Sequence, residues 1–476
     1  MYHYTYGHPV IPTPFGQKYL INADTTASGY PHRQIEDIIN QQILPYYNNT
    51  HSNSYSGRLM AHYVEQSRTI IRKCVNANSN DKVIFTGNGC SGAITHLIHC
   101  LDLKNSNPDE LVVIVSKAEH HSNHLPWTHL PVTLIYVPLD ENGLIDRRIL
   151  EKNLAKYQHK KIIVSFIATS NVTGVHQPTS QISKLVHQYG GLIFWDFAAS
   201  APYIPINLHT SDLNGDYYDA VFISTHKFFG GPGTPGILIA NQKLFKNTVP
   251  FCPAGGTVRF VCSAFQKYSN NVETKETGGT PNILGSIKAG LVFDFKCKNQ
   301  KYIIQRDQQV LEYVQSRLSK IREIHLLTPT GNLNRLPIFP FIVPGLHYNL
   351  VVVLLNDLFG IQSRGGVSCC SMLAQELLHI DSAKQRQIYQ SIITDHGVPS
   401  DYGWCRVSFN YIMTDAIIDY IINAIEYIAK NGHKYVKYYR YIPEKNNWIF
   451  KGWKDLDKLR LSVGAKPKKY VPNYLN

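Results

Sequence analysis

The sequence predicts an α/β protein with a large domain and a smaller second one. Apolar runs at residues 111–115, 192–196 and 220–223 have the length and the β-branched and aromatic content of buried strands. Each of these runs is followed closely by ionisable side chains that could bind a ligand or take part in catalysis. Ligands of open α/β sheets bind beyond the carboxyl ends of the strands, so these side chains predict a site. With 476 residues, the chain is long enough for both domains.

A glycine-rich turn, GNGCSG at residues 87–92, separates a predicted strand at 82–86 from a predicted helix at 93–101. The unpaired N–H groups and the dipole of such a helix N-terminus attract anions, phosphate among them. The spacing matches neither a P-loop nor a dinucleotide fingerprint. The turn therefore predicts an anion site, but not one for a nucleoside triphosphate or NAD.

Histidines are concentrated after the strand predicted at 111–115, where Glu119 and His120 are followed by histidines at 121, 124 and 129. Two histidines four positions apart can share a helical face and bind zinc. In the zinc proteases, however, the glutamate lies between the histidines, whereas Glu119 precedes them, and Pro126 interrupts a helix. We therefore predict no metal site.

An acid and a lysine follow the other two strands. Asp196 ends the run at 192–196, and Lys227 lies just past the run at 220–223, within the turn STHKFFGGPGTPG. A lysine in such a place is more often simply solvated. A lysine for a Schiff base, an acid for a pyridinium nitrogen and a ring to stack are, however, what pyridoxal phosphate requires. The three stretches together favour a site for this cofactor.

Composition excludes several classes of protein. The hydrophobic share of 43% and the charged share of 17% are ordinary for a globular protein. There is no apolar run of eighteen residues and no basic start followed by an apolar core, so neither a membrane span nor a secretory signal is expected. Nine scattered cysteines without a C-x-x-C pair argue for a reducing compartment, and we predict a cytoplasmic protein.

The net charge of +13 is concentrated at the C-terminus. Residues 434–476 contain eleven Lys or Arg against three Asp or Glu, so they supply +8 of it. Basic and aromatic residues alternate there, a pattern that can bind nucleic acid through phosphate contacts and stacking. No recognition motif accompanies it. We therefore favour packing of the aromatic residues on the domain, with the lysines in water, over nucleic-acid binding.

In this order, the motifs resemble those of the fold-type I, class V pyridoxal-phosphate-dependent aminotransferase family, most of all its cysteine desulfurases and selenocysteine lyases. The resemblance extends from about residue 21 to about residue 429. It implies a large cofactor-binding domain with a mostly parallel sheet flanked by helices at 21–295, and a smaller α+β C-terminal domain at 296–432. Residues 1–20 are expected to be an extended lead-in, and residues 433–476 a basic aromatic tail.

The resemblance assigns the cofactor site residue by residue. Lys227 is similar to the Schiff-base lysine, Asp196 to the acid beside the pyridine nitrogen, and His120 to the stacked ring that can also move protons. The remaining cofactor-binding positions that the resemblance implies are Cys90, Ser91, Asn171, Ser224, His226, Gly279 and Thr280. Gly279 and Thr280 belong to a loop that in the family crosses to the neighbouring subunit's phosphate, which implies a homodimer with a shared active site.

Two positions depart from the family. Cys90 stands where a hydroxyl residue is frequent, and Ala199 replaces the glutamine found in many desulfurases three residues after the aspartate. The second change removes a hydrogen bond to the phenolic oxygen of the cofactor. The presence of Ala199 therefore bears on which reaction of the family the chain would catalyse.

The substrate residues implied by the resemblance lie near the C-terminus. Arg364 and Cys369 have the five-residue separation of the desulfurase loop, in which the cysteine takes sulfur from the substrate. Its glycine-rich flanks favour an exposed thiol over a buried structural one. Arg406 is similar to the arginine that binds the substrate carboxylate, for which a planar guanidinium is suited. The adjacent Cys370 is a second candidate thiol.

The function expected from this resemblance is cysteine desulfurase or selenocysteine lyase activity on a small amino acid, with a sulfur-acceptor protein as a partner. A class V aminotransferase or another pyridoxal-phosphate-dependent lyase that retains Cys369 is the alternative among enzymes. A cofactor-binding protein without catalysis is the alternative outside them, and the presence of Lys227, Asp196 and His120 argues against it.

Overall fold

A computed structural model describes residues 5–211, 214–329, 331, 334–394 and 397–453. The chain forms two compact units. The larger unit contains Thr26–Gln305 and Asn334–Leu336, and the smaller unit contains Met1–Thr25, Arg306–Leu333 and Pro337–Asn476. The sequence led us to place the change of domain after residue 295, whereas the structure changes from the larger to the smaller unit after residue 305.

The N-terminal segment belongs to the smaller unit. Strands β1 (Val10–Thr13) and β2 (Gly16–Tyr19) form an antiparallel hairpin. Strand β3 (Ile21–Asn22) pairs in parallel with the distant strand Ile361–Gln362. This pairing joins residues 340 positions apart, a relation that no local pattern indicates.

The larger unit is built on a seven-stranded sheet. Its strands are β4 (Asp81–Thr86), β5 (Leu111–Ser116), β6 (Thr133–Val137), β7 (Lys161–Ile167), β8 (Leu192–Asp196), β9 (Ala220–Ser224) and β10 (Gly236–Asn241), in the order β4-β10-β9-β8-β7-β5-β6. The pairings from β9 through β8, β7 and β5 to β6 are parallel, and β10 runs antiparallel to both of its neighbours. The predicted α/β fold with a mostly parallel sheet is confirmed.

Helices accompany this sheet, and a short hairpin follows it. The helices are α1 (Arg33–Ile38), α2 (Tyr55–Cys74), α3 (Gly89–Cys100), α4 (His121–Thr128), α5 (Arg147–Tyr157), α6 (Thr179–Gln188), α7 (Val272–Lys275), α8 (Ile283–Lys298) and α9 (Gln300–Leu318), which continues into the smaller unit. The hairpin consists of β11 (Val258–Val261) and β12 (Gln266–Tyr268).

The central strands are apolar along most of their length because helices cover both faces of a parallel sheet. Every residue of β5 and of β9 is buried. The carboxyl ends of β5, β7, β8 and β9 lie at one edge of the sheet, together with the end of β4, since Thr86 and Ser224 both pair with Gly236. The predicted site residues follow these strand ends.

The smaller unit contains a four-stranded antiparallel sheet in the order β13-β14-β17-β16. The strands of this unit are β13 (His325–Leu326), β14 (Ile338–Ile342), β15 (Ile361–Gln362), β16 (Arg364–Gly366) and β17 (Trp404–Ser408). Its helices after α9 are α10 (Tyr348–Phe359), α11 (Ser371–Leu377), α12 (Ser382–Ile393) and α13 (Asp415–Asn431). Phe341, Leu354 and Ile421 are fully buried in the core between the sheet and the helices.

Residues 433–453 continue from α13 into a hairpin of β18 (Tyr439–Ile442) and β19 (Asn447–Phe450). Tyr439 is buried and its hydroxyl donates to Asp357 at 2.8 Å, while the ring of Phe450 meets Phe15 edge-on at 5.5 Å. Tyr439 and Phe450 therefore pack within the smaller unit, whereas Tyr438 and Trp453 are exposed. The remainder of the predicted tail, 454–476, lies outside the described residues. Among the described helices, none combines the length and the apolar character needed to cross a membrane.

Candidate active site

The N-terminus of α3 forms a cradle with Ser224 and His226 in the larger unit. The helix begins at Gly89, four residues earlier than the sequence predicted, so Cys90 and Ser91 lie in its first turn. The Cys90 N–H donates to Ser224 Oγ at 2.9 Å. Gly89 has a φ of +58°, and a Cβ there would lie 2.8 Å from Ser224 Oγ and 3.3 Å from His226 Nε2. Glycine therefore allows the helix end to approach both side chains.

Ser91 and His120 are linked through Ser122. Ser91 Oγ lies 2.5 Å from Ser122 Oγ, which lies 3.0 Å from His120 Nδ1. The Ser122 N–H donates to the same Nδ1 at 3.2 Å, so that nitrogen is an acceptor and the neutral ring carries its proton on Nε2. His120 thus caps α4 while its ring orientation is fixed.

Asp196 is the buried acid of the site. It ends β8 with 1% of its surface exposed, and the Ala198 N–H donates to Oδ1 at 2.8 Å. Burial raises the pKa of Asp196, while the Ala198 N–H, the charge of Lys227 and the Cys90 thiol act in the opposite direction. Burial, followed by the charge of Asp196, raises the pKa of Cys90 well above its ordinary value. Asp196, Lys227 and Cys90 are therefore close enough to interact.

Lys227 lies on a single 3-10 turn, Thr225–Lys227, directly after β9. The turn is fixed from both sides, because Thr225 Oγ1 donates to Pro235 O at 2.7 Å and the Gly29 N–H donates to His226 O at 3.0 Å. Burial, followed by the charge of Lys227, lowers the pKa of His226 to about 4. His226 is therefore a neutral hydrogen-bonding group at physiological pH.

Asn171 lies in the turn after β7 and is 6% exposed. Ser170 Oγ accepts from the N–H groups of Val172 and Thr173, which shapes this turn. Arg335, whose side chain is buried, donates from Nη1 to Thr173 O at 3.2 Å. The pKa of Arg335 is lowered to about 10 by burial, so the guanidinium remains charged at physiological pH.

Gly279 and Thr280 contact a loop of the same chain that precedes α2. Asn49 Nδ2 donates to Thr280 Oγ1 at 2.9 Å, and His51 Nε2 lies 3.3 Å from Gly279 O. Thr280 is exposed. The described hydrogen bonds thus join these two residues to the 49–51 loop rather than to Ser224 or His226.

In the smaller unit, the two predicted substrate arginines stand opposite each other. Arg364 on β16 and Arg406 on β17 are directly paired across the antiparallel strands. Arg406 is 2% exposed, and its Nη2 donates to Asp24 Oδ1 at 2.5 Å. Arg364 is half-buried and its Nη2 donates to Cys369 Sγ at 3.3 Å. The two arginines are thus cross-strand neighbours, and the Cys369 thiol lies beside one of them.

Cys369 is held in an unusual backbone conformation. Ser368 and Cys369 have φ values of +54° and +58°, in the left-handed region that non-glycine residues rarely occupy. The Trp404 indole N–H donates to Ser368 Oγ at 3.2 Å and stabilises the turn. Cys369 is half-buried, whereas Cys370 is fully buried before the start of α11. The neighbouring thiols therefore differ in access.

The histidines after β5 do not converge on one point. His124 Nε2 hydrogen-bonds Tyr136 OH at 2.9 Å, and His120 bonds Ser122. Three other potential ligands, His96, Cys100 and Glu276, do lie within 4.8 Å of one another. The Glu276 oxygens already accept from Asn247 Nδ2 and the Phe251 N–H, and Lys275 Nζ lies 3.4 Å away. This arrangement is a satisfied ion-pair network, since a neighbouring ammonium disfavours a metal cation.

Comparison with known proteins identifies the family. The family model for class-V aminotransferases matches residues 19–421. The chain belongs to this family. The family predicted from the sequence is thereby confirmed, and with it the expectation that the chain is an enzyme.

Relatives of this class-V chain include a "probable cysteine desulfurase" from Halalkalibacterium halodurans, which is 28% identical over 78% of this chain and 88% of its own length. Another protein of that name from Streptomyces coelicolor is 24% identical, over 86% of this chain and 92% of its own. An apo cysteine desulfurase from Thermococcus onnurineus superposes with a TM-score of 0.73 at 23% identity, over 87% of this chain and 95% of its own. The last comparison establishes the fold.

Sequence reasoning missed a buried carboxyl group beside His120 in this class-V chain. Glu119 is 3% exposed; it accepts from Ser116 Oγ at 2.5 Å, from Asn123 Nδ2 at 2.6 Å and from the Ile167 N–H at 2.9 Å. Burial raises its pKa to about 8. The signal in the sequence was an acid directly after a buried strand, which we considered only as a metal ligand.

Proposed function

We propose that this class-V enzyme is a pyridoxal-phosphate-dependent cysteine desulfurase, which converts L-cysteine to alanine and an enzyme-bound persulfide. The observation that carries the proposal is the half-buried Cys369 thiol with the Arg364 guanidinium 3.3 Å from its sulfur. A guanidinium can pair with the anionic sulfur, which is the form that acts as a nucleophile. The names of the relatives from Halalkalibacterium halodurans and Streptomyces coelicolor support the same activity.

Pyridoxal phosphate fits the residues of the larger unit. The first turn of α3, the Ser224 hydroxyl and the neutral His226 offer hydrogen-bond donors that lie close together because Gly89 has no Cβ, which suits a phosphate. Asp196 is a buried carboxyl with a raised pKa, and a protonated ring nitrogen is a cation that would offset the cost of burying its charge. We propose Ser91 as a further phosphate ligand.

When bound, this cofactor supplies an electron sink for negative charge at the substrate Cα. Lys227 would hold it covalently and then move a proton at the Cα. Asp196 would keep negative charge beside the ring nitrogen, and His120, with its proton on Nε2, would stack on the ring and exchange protons. Asn171 would donate to the phenolic oxygen.

Arg406 and Arg364 suit the carboxylate of an amino acid. A planar guanidinium can hold a carboxylate through two parallel hydrogen bonds. In the proposed reaction the Cys369 thiolate attacks the substrate sulfur, the substrate Cβ–S bond breaks and a proton is added at Cβ. Sulfur remains on Cys369 as a persulfide and alanine is the product.

We also propose the partners that such an activity requires. A persulfide on a half-buried cysteine must pass to an acceptor, so a sulfur-acceptor protein is the expected partner. Gly279 and Thr280 are proposed to reach the phosphate site of a second subunit in a homodimer. A cytoplasmic location is proposed because the nine cysteines are odd in number and scattered, without a C-x-x-C pair.

Two other enzymatic activities remain candidates on specific observations. Selenocysteine lyase activity would use the same cofactor and carboxylate residues but not the Cys369 thiol, since selenium can leave without it. Aminotransferase or other lyase activity is favoured by Ala199, a buried residue without a hydrogen-bonding side chain three positions after Asp196. A cofactor-binding protein without turnover would use the larger unit alone.

The deciding experiment incubates the purified, cofactor-loaded protein with a panel of amino acids and a thiol reductant. We expect alanine and sulfide in equal amounts from L-cysteine. Keto acids formed from several amino acids would establish an aminotransferase, and pyruvate with ammonia from cysteine another lyase. Cofactor absorbance without any product would show that the chain only binds.

A further inference from the structure

Two cysteines outside the site described above lie together in the larger unit. Cys74 is the last residue of α2 and Cys297 the last but one of α8. Both thiols are half-buried, and the Cys74 thiol donates to Phe293 O on α8, one helical turn before Cys297. Neither residue contributes to the cofactor cradle or to the Arg364–Cys369 cluster.

The packing of α2 against α8 explains why these thiols meet. The helices approach closely at Ser67 and Gly290, where a Cβ on the glycine would lie 2.8 Å from Ser67 Cα. Cys74 and Cys297 each lie seven residues, or two helical turns, beyond this contact. Ser67 Oγ donates to Ile287 O and the Cys74 thiol to Phe293 O, so the two helices run in the same direction. Seven residues return a helix to nearly the same face, so the second pair repeats the relation of the first. Cys74 Sγ also lies 3.7 Å from Phe293 O on α8.

A buried lysine accompanies the pair. Lys296 is 4% exposed, and its Nζ donates to Ile204 O at 2.7 Å. Burial lowers the pKa of Lys296 to about 8 although both thiols act in the opposite direction, so the ammonium form predominates at neutral pH. The charge next to Cys297 is therefore positive.

The two thiols are not equivalent. The hydrogen bond from Cys74 and the charge of Lys296 lower the pKa of Cys297 to about 7, against burial and the charge of Asp294. The same hydrogen bond, together with burial, raises the pKa of Cys74. The Cys74 thiol has a backbone acceptor in Phe293 O, whereas Cys297 follows the buried Lys296 ammonium directly in the chain. Cys297 is therefore the better nucleophile at neutral pH, and Cys74 is placed to react with it.

We propose that Cys74 and Cys297 are a modification site that forms a reversible disulfide by exchange with a low-molecular-weight disulfide. The Cys297 thiolate attacks one sulfur of that disulfide, which gives a mixed disulfide and releases one thiolate. Cys74 then loses its proton, attacks the Cys297 sulfur and releases the second thiol. The two protein thiols are oxidised to one disulfide, the small disulfide is reduced to two thiols, and the two protons go to these products.

The disulfide would join the C-terminal ends of α2 and α8. The loops that precede these two helices already contact each other. Asn49, before α2, donates to Thr280, before α8. The N-terminal ends of α2 and α8 are thus already held together. Oxidation would also link their C-terminal ends. The site is independent of the proposed desulfurase activity, because no residue is shared.

The experiment uses the full-length, cofactor-loaded protein in buffers of oxidised and reduced glutathione at pH 7. After an acid quench and alkylation, peptide mass spectrometry identifies each cysteine's partner. We expect a Cys74–Cys297 linked peptide at higher occupancy than any glutathione adduct on the exposed Cys252 or Cys262, and its loss when reduced glutathione is raised tenfold. Adducts on Cys252 and Cys262 with Cys74 and Cys297 still alkylated would overturn the proposal.

Single variants test the order of attack. Cys74→Ser should leave a stable glutathione adduct on Cys297, because nothing can resolve it. Cys297→Ser should show at least roughly threefold less adduct on Cys74, since that thiol is the poorer nucleophile. Equal adducts on the two variants would contradict the assigned roles. The linked peptide is sought in the unmodified chain, so the main result does not depend on how the variants fold.

Discussion

The two units of this protein hold their reactive groups in different ways. In the larger unit, Asp196 ends a largely buried strand and Lys227 follows a fully buried one, and backbone hydrogen bonds fix the turns beside them. In the smaller unit, Cys369 lies on a short loop after β16, in a left-handed conformation and with Arg364 as its neighbour. The groups proposed to hold charge are thus at strand ends, whereas the thiol proposed to accept sulfur is on a loop.

The difference suggests how each region should respond to substitution. On strand ends, removing one group leaves the rest of a satisfied network in place, so the protein should fold and bind while chemistry fails. On the loop, access and conformation matter as much as identity, so two adjacent cysteines should behave differently. Four predictions test this contrast.

The largest effect is expected from Lys227→Ala. Alanine has no amine, so we expect covalent cofactor attachment to be lost and turnover to fall to background. Borohydride reduction of the unmodified protein, followed by peptide mapping, should place the cofactor on Lys227. Label on another lysine, such as Lys243, would mean that the strand end after β9 does not carry the reactive amine.

Cys369→Ser tests the loop. Serine stays protonated and forms no persulfide, so we expect sulfur release from cysteine to fall on the order of a thousandfold while the cofactor still binds. Cys370→Ser is the matched control, and it should be much milder because that thiol is fully buried. The assay uses cysteine, because selenium can leave without the thiol.

Undiminished sulfur release in both cysteine variants would show that neither thiol of the loop takes part in the reaction. The chain would then be better described as an aminotransferase or another lyase. Loss of activity in both variants to the same extent would instead indicate that the conformation of the loop, and not a single sulfur, sets the rate.

Asp196→Ala is expected to have a smaller effect. It removes the charge beside the proposed ring nitrogen, so we expect a rate about a hundredfold lower with cofactor still bound. Asp196→Asn keeps an acceptor for the Ala198 N–H but not the charge, and should be similarly slow. Rates equal to those of the unmodified enzyme would show that Asp196 does not act on the reaction.

Much of the fold was predictable because it depends on local patterns. Apolar runs marked β5, β8 and β9, and the glycine-rich turn marked the start of α3 to within four residues. The pairing of β3 with β15 was not predictable, since it joins segments 340 residues apart with only two residues in each strand. The contact of Asp24 with Arg406 depends on that same long-range arrangement.

The site was predictable where a residue type alone suggests its chemistry, as for Lys227 and Cys369. It was not predictable where the role comes from burial. Arg335 is a basic residue in an irregular stretch, and only its burial against the turn of Asn171 distinguishes it from a surface arginine. The same is true of Glu119, whose three donors come from Ser116, Asn123 and the backbone of β7.

The smallest effect is expected for Glu119. Its substitution tests whether the stability of the larger unit depends on a neutral carboxyl group near the strand ends. Its pKa is about 8 in the folded chain, against 4.5 ordinarily. Between these values the unfolded chain has lost the proton and the folded chain keeps it, so the contribution of Glu119 to stability falls as pH rises from about 4.5 to about 8. Glutamine does not titrate, and Glu119→Gln should remove this dependence.

We therefore expect Glu119→Gln to be destabilised relative to the unmodified protein at pH 6, and this deficit to shrink by about 2 kcal/mol at pH 8. Denaturant unfolding at the two pH values measures it. Glu276→Gln is the matched control of opposite sign, because hydrogen bonds to its buried carboxylate outweigh burial and lower its pKa to about 2. Its stability contribution is complete above about 4.5 and lost only toward pH 2, so its deficit should be equal at pH 6 and pH 8. A constant deficit for Glu119→Gln as well would mean that Glu119 is already ionised, and that its three donors outweigh the cost of burial.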